Sequence, residues 1–277
     1  MRGGQRLMVN YRNFKFLQEF KASFIKDFKI YMRYPIWIIS DFISTPLWFL
    51  FFLLALILFT PESSSIYSLE YFFWGYVFVI FLASSMWGIG YEIRTEQLEG
   101  TIEQIFLAPI NRLTIIIGRW SRTLVMDSLI ILYTMLLFKI FSKISFSISN
   151  PFLFTFSLIL IQISILGLGF FFSGLALKIK NYSSLTTLLF ISFTIICGVY
   201  FPPSSLPFPL NFISYSLPFT YLVDLLKYST IEVPTILELK IELPLSLFLS
   251  LSSLLLGLTF FKKVERNLRI KGQIGFH

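Results

Sequence analysis

The sequence predicts an all-α polytopic membrane protein with six transmembrane helices. Three observations carry this. Of 277 residues, 56% are hydrophobic and only 14% charged, where a soluble domain has about a quarter charged. The mean hydropathy is +0.76. The apolar residues form long continuous runs rather than alternating, which excludes a barrel. The same composition excludes disorder, which needs low hydrophobicity and high net charge.

Residues 11–33 come first. Phe14, Leu17, Phe24, Ile25, Phe28 and Tyr31 share one side and lysines punctuate the rest, the pattern of an amphipathic helix lying in the headgroup layer on anionic lipid. The first long apolar run starts only near Ile36, too late for a cleaved signal peptide. A span needs about 20 apolar residues. Six runs qualify: Phe42–Phe59, Tyr71–Tyr91, Leu124–Phe141, Phe152–Leu177, Ser183–Phe201 and Leu243–Phe261. The chain divides into an N-terminal amphipathic helix (1–35), one six-span domain (36–262) and a tail (263–277). The six-span domain includes a polar loop over 92–112 and an outer hairpin over 202–242.

Net charge is +8. In a soluble protein that points to nucleic acid; in a membrane protein it marks the cytoplasmic side. Of the 23 Lys and Arg residues, 19 precede the first run, follow the last, or lie between runs two and three or four and five. Both termini are therefore expected in the cytoplasm, with membrane lipid and not nucleic acid as the partner of this charge. Cys197 and His277 are the single cysteine and histidine, so a disulfide framework, a multi-cysteine metal site and histidine chemistry are not expected. No G-x-x-x-x-G-K-[ST] stretch occurs, so no nucleotide-binding loop is expected in this chain. Gly167, Gly169 and Gly174 read as packing glycines within a span, and Ser84 and Gly88 let helices approach closely. Asp41 and Asp127 sit near the cytoplasmic ends of their spans, which speaks against a proton or ion relay.

The loop Glu92–Arg112 contains a short helix with start and stop signals. Thr101 and Gln104 have capping-box spacing. Glu103 suits the positive end of the helix dipole, and Gly100 permits a sharp turn before it. Ile102, Ile105 and Phe106 share a face. Pro109 ends the helix at Ala108. Glu92, Glu96, Glu99 and Glu103 would repel anionic headgroups, so a docking helix for a soluble partner is the better reading than an interfacial one.

The stretch between the fifth and sixth runs holds six of twelve prolines: Pro202, Pro203, Pro207, Pro209, Pro218 and Pro234. Phe208–Leu217 and Phe219–Ile231 are apolar but too short to span, and the second carries Asp224 and Lys227 at i, i+3. Such segments read as re-entrant, and irregular backbone at depth belongs inside protein or beside a cavity.

Two of these motifs resemble the permease subunits of ABC-type exporters, type 2. The first is Leu98-Glu-Gly-Thr-Ile-Glu-Gln-Ile105 with Pro109 after it and Arg112–Arg119 continuing. The second runs from Gly198-Val-Tyr-Phe-Pro-Pro through Pro207 to Tyr215–Asp224. The resemblance covers nearly the whole chain. It implies a permease in the cell membrane that pairs with a second copy or a paralogue, with two separate ATP-binding cassette subunits that carry Mg-ATP. It makes Gly100–Leu107 a coupling helix: Ile105 and Phe106 become apolar anchors, and Glu99 and Glu103 meet basic residues of the ATPase. The chain itself is then no enzyme and holds no cofactor. Cargo in related permeases is a drug, lipid, lipid-linked glycan or peptide; a lipophilic drug or lipid conjugate fits best here. The alternative is an ATP-independent secondary transporter or channel, which predicts internal repeats and deep ionisable residues. A lipid-modifying enzyme would need clustered His, Asp or Glu, and only Glu92–Glu103 clusters.

Overall fold

A backbone surrounded by lipid must satisfy its hydrogen bonds within its own segment, and the apolar runs accordingly form helices. The computed structural model describes residues 2–59, 65–142, 146–179 and 181–271. Helix α1 is Arg2–Arg33 and α2 is Pro35–Phe59. Helix α3, Ser65–Ala83, passes through a π-helical stretch, Ser84–Tyr91, into α4, Glu92–Leu98. Then come α5, Ile102–Leu107; α6, Arg112–Ser142; α7, Pro151–Lys178; and α8, Tyr182–Ile196. A 3-10 turn, Pro203–Ser205, precedes α9, Leu210–Ser216; α10, Pro218–Ile231; and α11, Leu239–Lys271.

Among the described residues, five helical stretches are long and apolar enough to cross a membrane: 35–54, 69–98, 112–140, 151–178 and 239–271. The fifth expected span, Ser183–Phe201, is helical only to Ile196. Its 15 residues rise about 22 Å, short of the roughly 30 Å core. The break follows from Gly198, whose φ is +71°, and from Pro202 and Pro203 beyond it. The third span starts at Arg112 rather than Leu124, which moves Asp127 fifteen residues into the helix instead of near its end. Residues 92–98, expected in a loop, continue the second span as helix.

Lipid supplies no hydrophobic drive between helices, so close van der Waals packing holds them. Two contrasting devices do this. At the α7–α11 crossing, a Cβ on Gly167 would lie 2.6 Å from the carbonyl carbon of Ser253, and one on Gly257 would collide with the Gly167 backbone. Between α2, α3 and α6, aromatic rings interlock instead. Phe49 is fully buried, with ring centroids of Phe73 at 5.4 Å and Phe138 at 4.7 Å, both edge-on, the arrangement the ring quadrupoles favour.

Helix α1 is part of the helix bundle. It packs along α6, where a Cβ on Gly118 would come 2.5 Å from Ser23 Oγ. Of its expected apolar face, Tyr31 is buried and Phe24 and Phe28 are half-buried, while Leu17 and Ile25 stay exposed. Helix α10 is buried against α3, α7 and α11, so this part of the outer hairpin is inside the bundle rather than on its surface.

Candidate functional site

The α4–α5 corner is built by backbone hydrogen bonds. Gly100 has φ +71°. Its N–H donates to Gln97 O at 3.4 Å, and the Thr101 N–H donates to Glu96 O at 3.0 Å. This is a Schellman motif that closes α4, with glycine at the left-handed position. Thr101 does not form the expected capping box: its hydroxyl donates back to Glu96 O at 3.1 Å, and α5 has no side-chain cap. The threonine's own backbone is already helical, so its hydroxyl lies over α4 rather than the first turn of α5. Helix α5 does end at Ala108, which is extended at φ −65°, ψ 140° ahead of Pro109.

The expected apolar knob is turned inward. Ile102 is buried and Phe106 half-buried. Phe106 lies between two guanidinium groups, with Arg112 Cζ 5.5 Å and Arg269 Cζ 5.9 Å from its centroid. Arg112 donates to Phe106 O at 2.5 Å, and Glu265 of α11 bridges Arg112 at 3.8 Å and Arg269 at 2.8 Å. Facing outward are Leu98, Glu99, Glu103, Gln104 and Pro109, together with Leu107 at 85% exposure. Ile105 is half-buried beside a cleft.

Two of the four glutamates of this stretch are committed inside the molecule. Arg119 on α6, 1% exposed, reaches Glu96 at 2.5 Å, Glu92 at 3.4 Å and Asp27 of α1 at 3.8 Å. Arg122 pairs with Glu92, and Lys26 pairs with Glu96 at 3.4 Å. Three cations and three anions balance, tying α1, α4 and α6 together. Desolvated charges persist only when paired in this way. The signal lay in the spacing: Arg119 and Arg122 are one turn apart on α6, and Glu92 and Glu96 one turn apart on α4. The α11 clamp on Phe106 had no local sequence signal.

Above this network a cleft of about 2330 Å³ opens between α1, α2, the π-helical stretch, α6 and α8. Aromatic side chains wall it, among them Trp37, Trp48, Phe52, Tyr76 and Tyr200, and Asp41 and Asp127 line it.

At the opposite end, Lys227 is 1% exposed. No ion pair joins it to Asp224. It donates instead to the carbonyls of Gly198 and Val199, both at 2.8 Å, and sits 3.2 Å from the centroid of the Tyr71 ring. It thereby pins the broken end of α8. Asp224 accepts from the Ile236 N–H at 2.7 Å. Pro203 is buried against Gly198, Pro202 and Pro207 are exposed, and Pro218 opens α10 behind an extended Leu217, where proline fits the first helical turn. Among the described residues, no group of three or more His, Cys, Asp and Glu side chains is placed to hold a metal ion.

The apolar helices and the glycine-packed spans define a multi-pass membrane protein with a large aromatic-walled cleft. The family model described as ABC-2 type transporter matches residues 18–230, and the chain belongs to that family. No match is found among the curated proteins. Membership makes the chain a transport component, with the permease character of the family.

Proposed function

We propose that this chain is the permease subunit of an ATP-driven exporter. It works as a dimer, or paired with a paralogue, in the cell membrane, with both termini in the cytoplasm. Mg-ATP is bound and hydrolysed by two separate cassette subunits. The observation that supports this most is α5, a two-turn helix just beyond the cytoplasmic extension of the second span. Its inner face is clamped by Arg112 and Arg269, while Leu98, Glu99, Glu103 and Leu107 are left outward. A partner that pushes on α5 moves α4, and through the Arg119 ion network it also moves α1 and α6. The force reaches the walls of the cleft, which is what coupling requires. The contact residues are those that face outward; Glu96 and Phe106 act through the chain's own structure, as transmitters. The cargo is a lipophilic or amphiphilic molecule.

The test is purification of the tagged full chain from its native membranes. A Walker-motif ATPase is expected to co-purify in equal copy number, and export of an amphiphile by reconstituted vesicles is expected to need ATP. Transport by the chain alone, driven by an ion gradient, would instead show a secondary transporter.

A further inference from the structure

Two carboxylates of the cleft have no ion-pair partner among the described residues. Lys26, Arg119 and Arg122 are balanced by Asp27, Glu92 and Glu96. Deeper in, Asp41 on α2 and Asp127 on α6 both line the cleft. Asp127 is 7% exposed and lies midway along α6. Ser84, at the start of the π-helical stretch, lines the cleft with it. Asp41 accepts from Tyr31 OH at 2.5 Å. Hydroxyls orient a carboxylate without cancelling its charge, and among the described residues neither aspartate has an ion-pair partner. Arg122, in the same cleft, is held by Glu92 and stacks on Tyr31 at 5.2 Å. An ionisable group at membrane depth is costly, and it ordinarily faces a cavity or a partner.

The wall beside Asp41 is aromatic: Trp37, one turn before it on α2, stacks on Tyr34 at 5.0 Å, and both rings line the cleft. Further along α2, Trp48 stacks with Phe52 at 6.3 Å, and Phe52 with Tyr200 at 4.9 Å. Ring faces attract cations, most strongly where water is excluded. The π-helical stretch contributes Ser84, Trp87, Gly88 and Tyr91 to the same cleft, and such irregular turns concentrate at functional sites.

We propose that the cargo is an organic cation with an apolar, aromatic body, held in this cleft with its charge against Asp127 and Asp41 and its body against the Tyr34–Trp37 rings. This rests on the exporter reading and narrows its substrate class. Anionic cargo is disfavoured because the buried arginines are already engaged.

The test uses tetraphenylphosphonium and tetraphenylborate, which match in size and differ in sign. Binding is measured by calorimetry to the full chain in zwitterionic nanodiscs, with empty nanodiscs subtracted. Saturable binding of the phosphonium alone is expected. Asp127→Asn, which keeps the side-chain shape, should weaken it about tenfold or more, as loss of one desolvated charge pair does. Saturable borate binding of equal or greater strength would overturn the proposal, as would unchanged phosphonium affinity in the Asp41→Asn/Asp127→Asn double variant. The wild-type comparison of the two ions decides the matter even where a variant fails to fold. The exporter reading fails separately: if no cassette ATPase co-purifies while phosphonium still binds, the site stands and the coupling does not.

Discussion

The α7–α11 seam and the α1–α4–α6 corner hold helices together by opposite means. At the seam, Gly167 and Gly257 let two backbones touch, with no charge and no space. At the corner, six charged side chains span three helices. Backbone contact tolerates no sliding, because any displacement loses close packing or creates a clash. Ion pairs made by long side chains keep their partners over a shift of an ångström or more. The seam makes a fixed spine, and on the exporter reading proposed above the corner is where movement passes.

The largest expected effect breaks the spine. Gly257→Leu places four carbons where the Gly167 carbonyl lies, and α7 cannot remain beside α11. Loss of monodisperse protein in size-exclusion chromatography is expected, whereas Leu255→Ala on the exposed side of α11 should leave the profile unchanged. Next comes the corner. Arg119→Met strands Glu96, Glu92 and Asp27 without their shared cation and should cost about 3–5 kcal/mol, read as a lower midpoint of thermal unfolding in detergent. A smaller step is Gly100→Ala. The left-handed position disfavours any Cβ by about 1–2 kcal/mol, so a modest loss of thermal stability is expected, although open space surrounds the site. The smallest is Leu107→Asp, an exposed change expected to stay within about 0.5 kcal/mol of the parent while reducing recovery of the cassette ATPase.

Much of this contrast was legible in the sequence and part was not. Long apolar runs disclosed the helices, since composition alone decides what lipid tolerates. Gly167 was readable as a packing residue, because few other uses exist for glycine inside a span. Gly100 was read correctly as a turn, but Thr101 was given to the wrong helix: the same four residues serve either to start α5 or to close α4, and only the φ of Gly100 decides. The extent of α8 is hidden because Cys197–Phe201 is as apolar as the helix before it; the stop comes from Gly198 and from Lys227, 29 residues on. The inward turn of Phe106 was hidden for the same reason. One half of its clamp, Arg112, is six residues away, but the other, Arg269 with the Glu265 that ties the two arginines together, is far away in the chain, and the local sequence does not distinguish an outward anchor from one gripped from behind.

The central claim is that the outward side of α5, and not Phe106, meets the ATP-binding subunit. Leu107→Cys in a Cys197→Ser background, treated with a short bifunctional crosslinker in native membranes, tests it most directly. The account predicts an adduct with a cassette ATPase from Leu107→Cys and none from Leu255→Cys on α11. Absence of the adduct at Leu107, or equal capture from both positions, would contradict it.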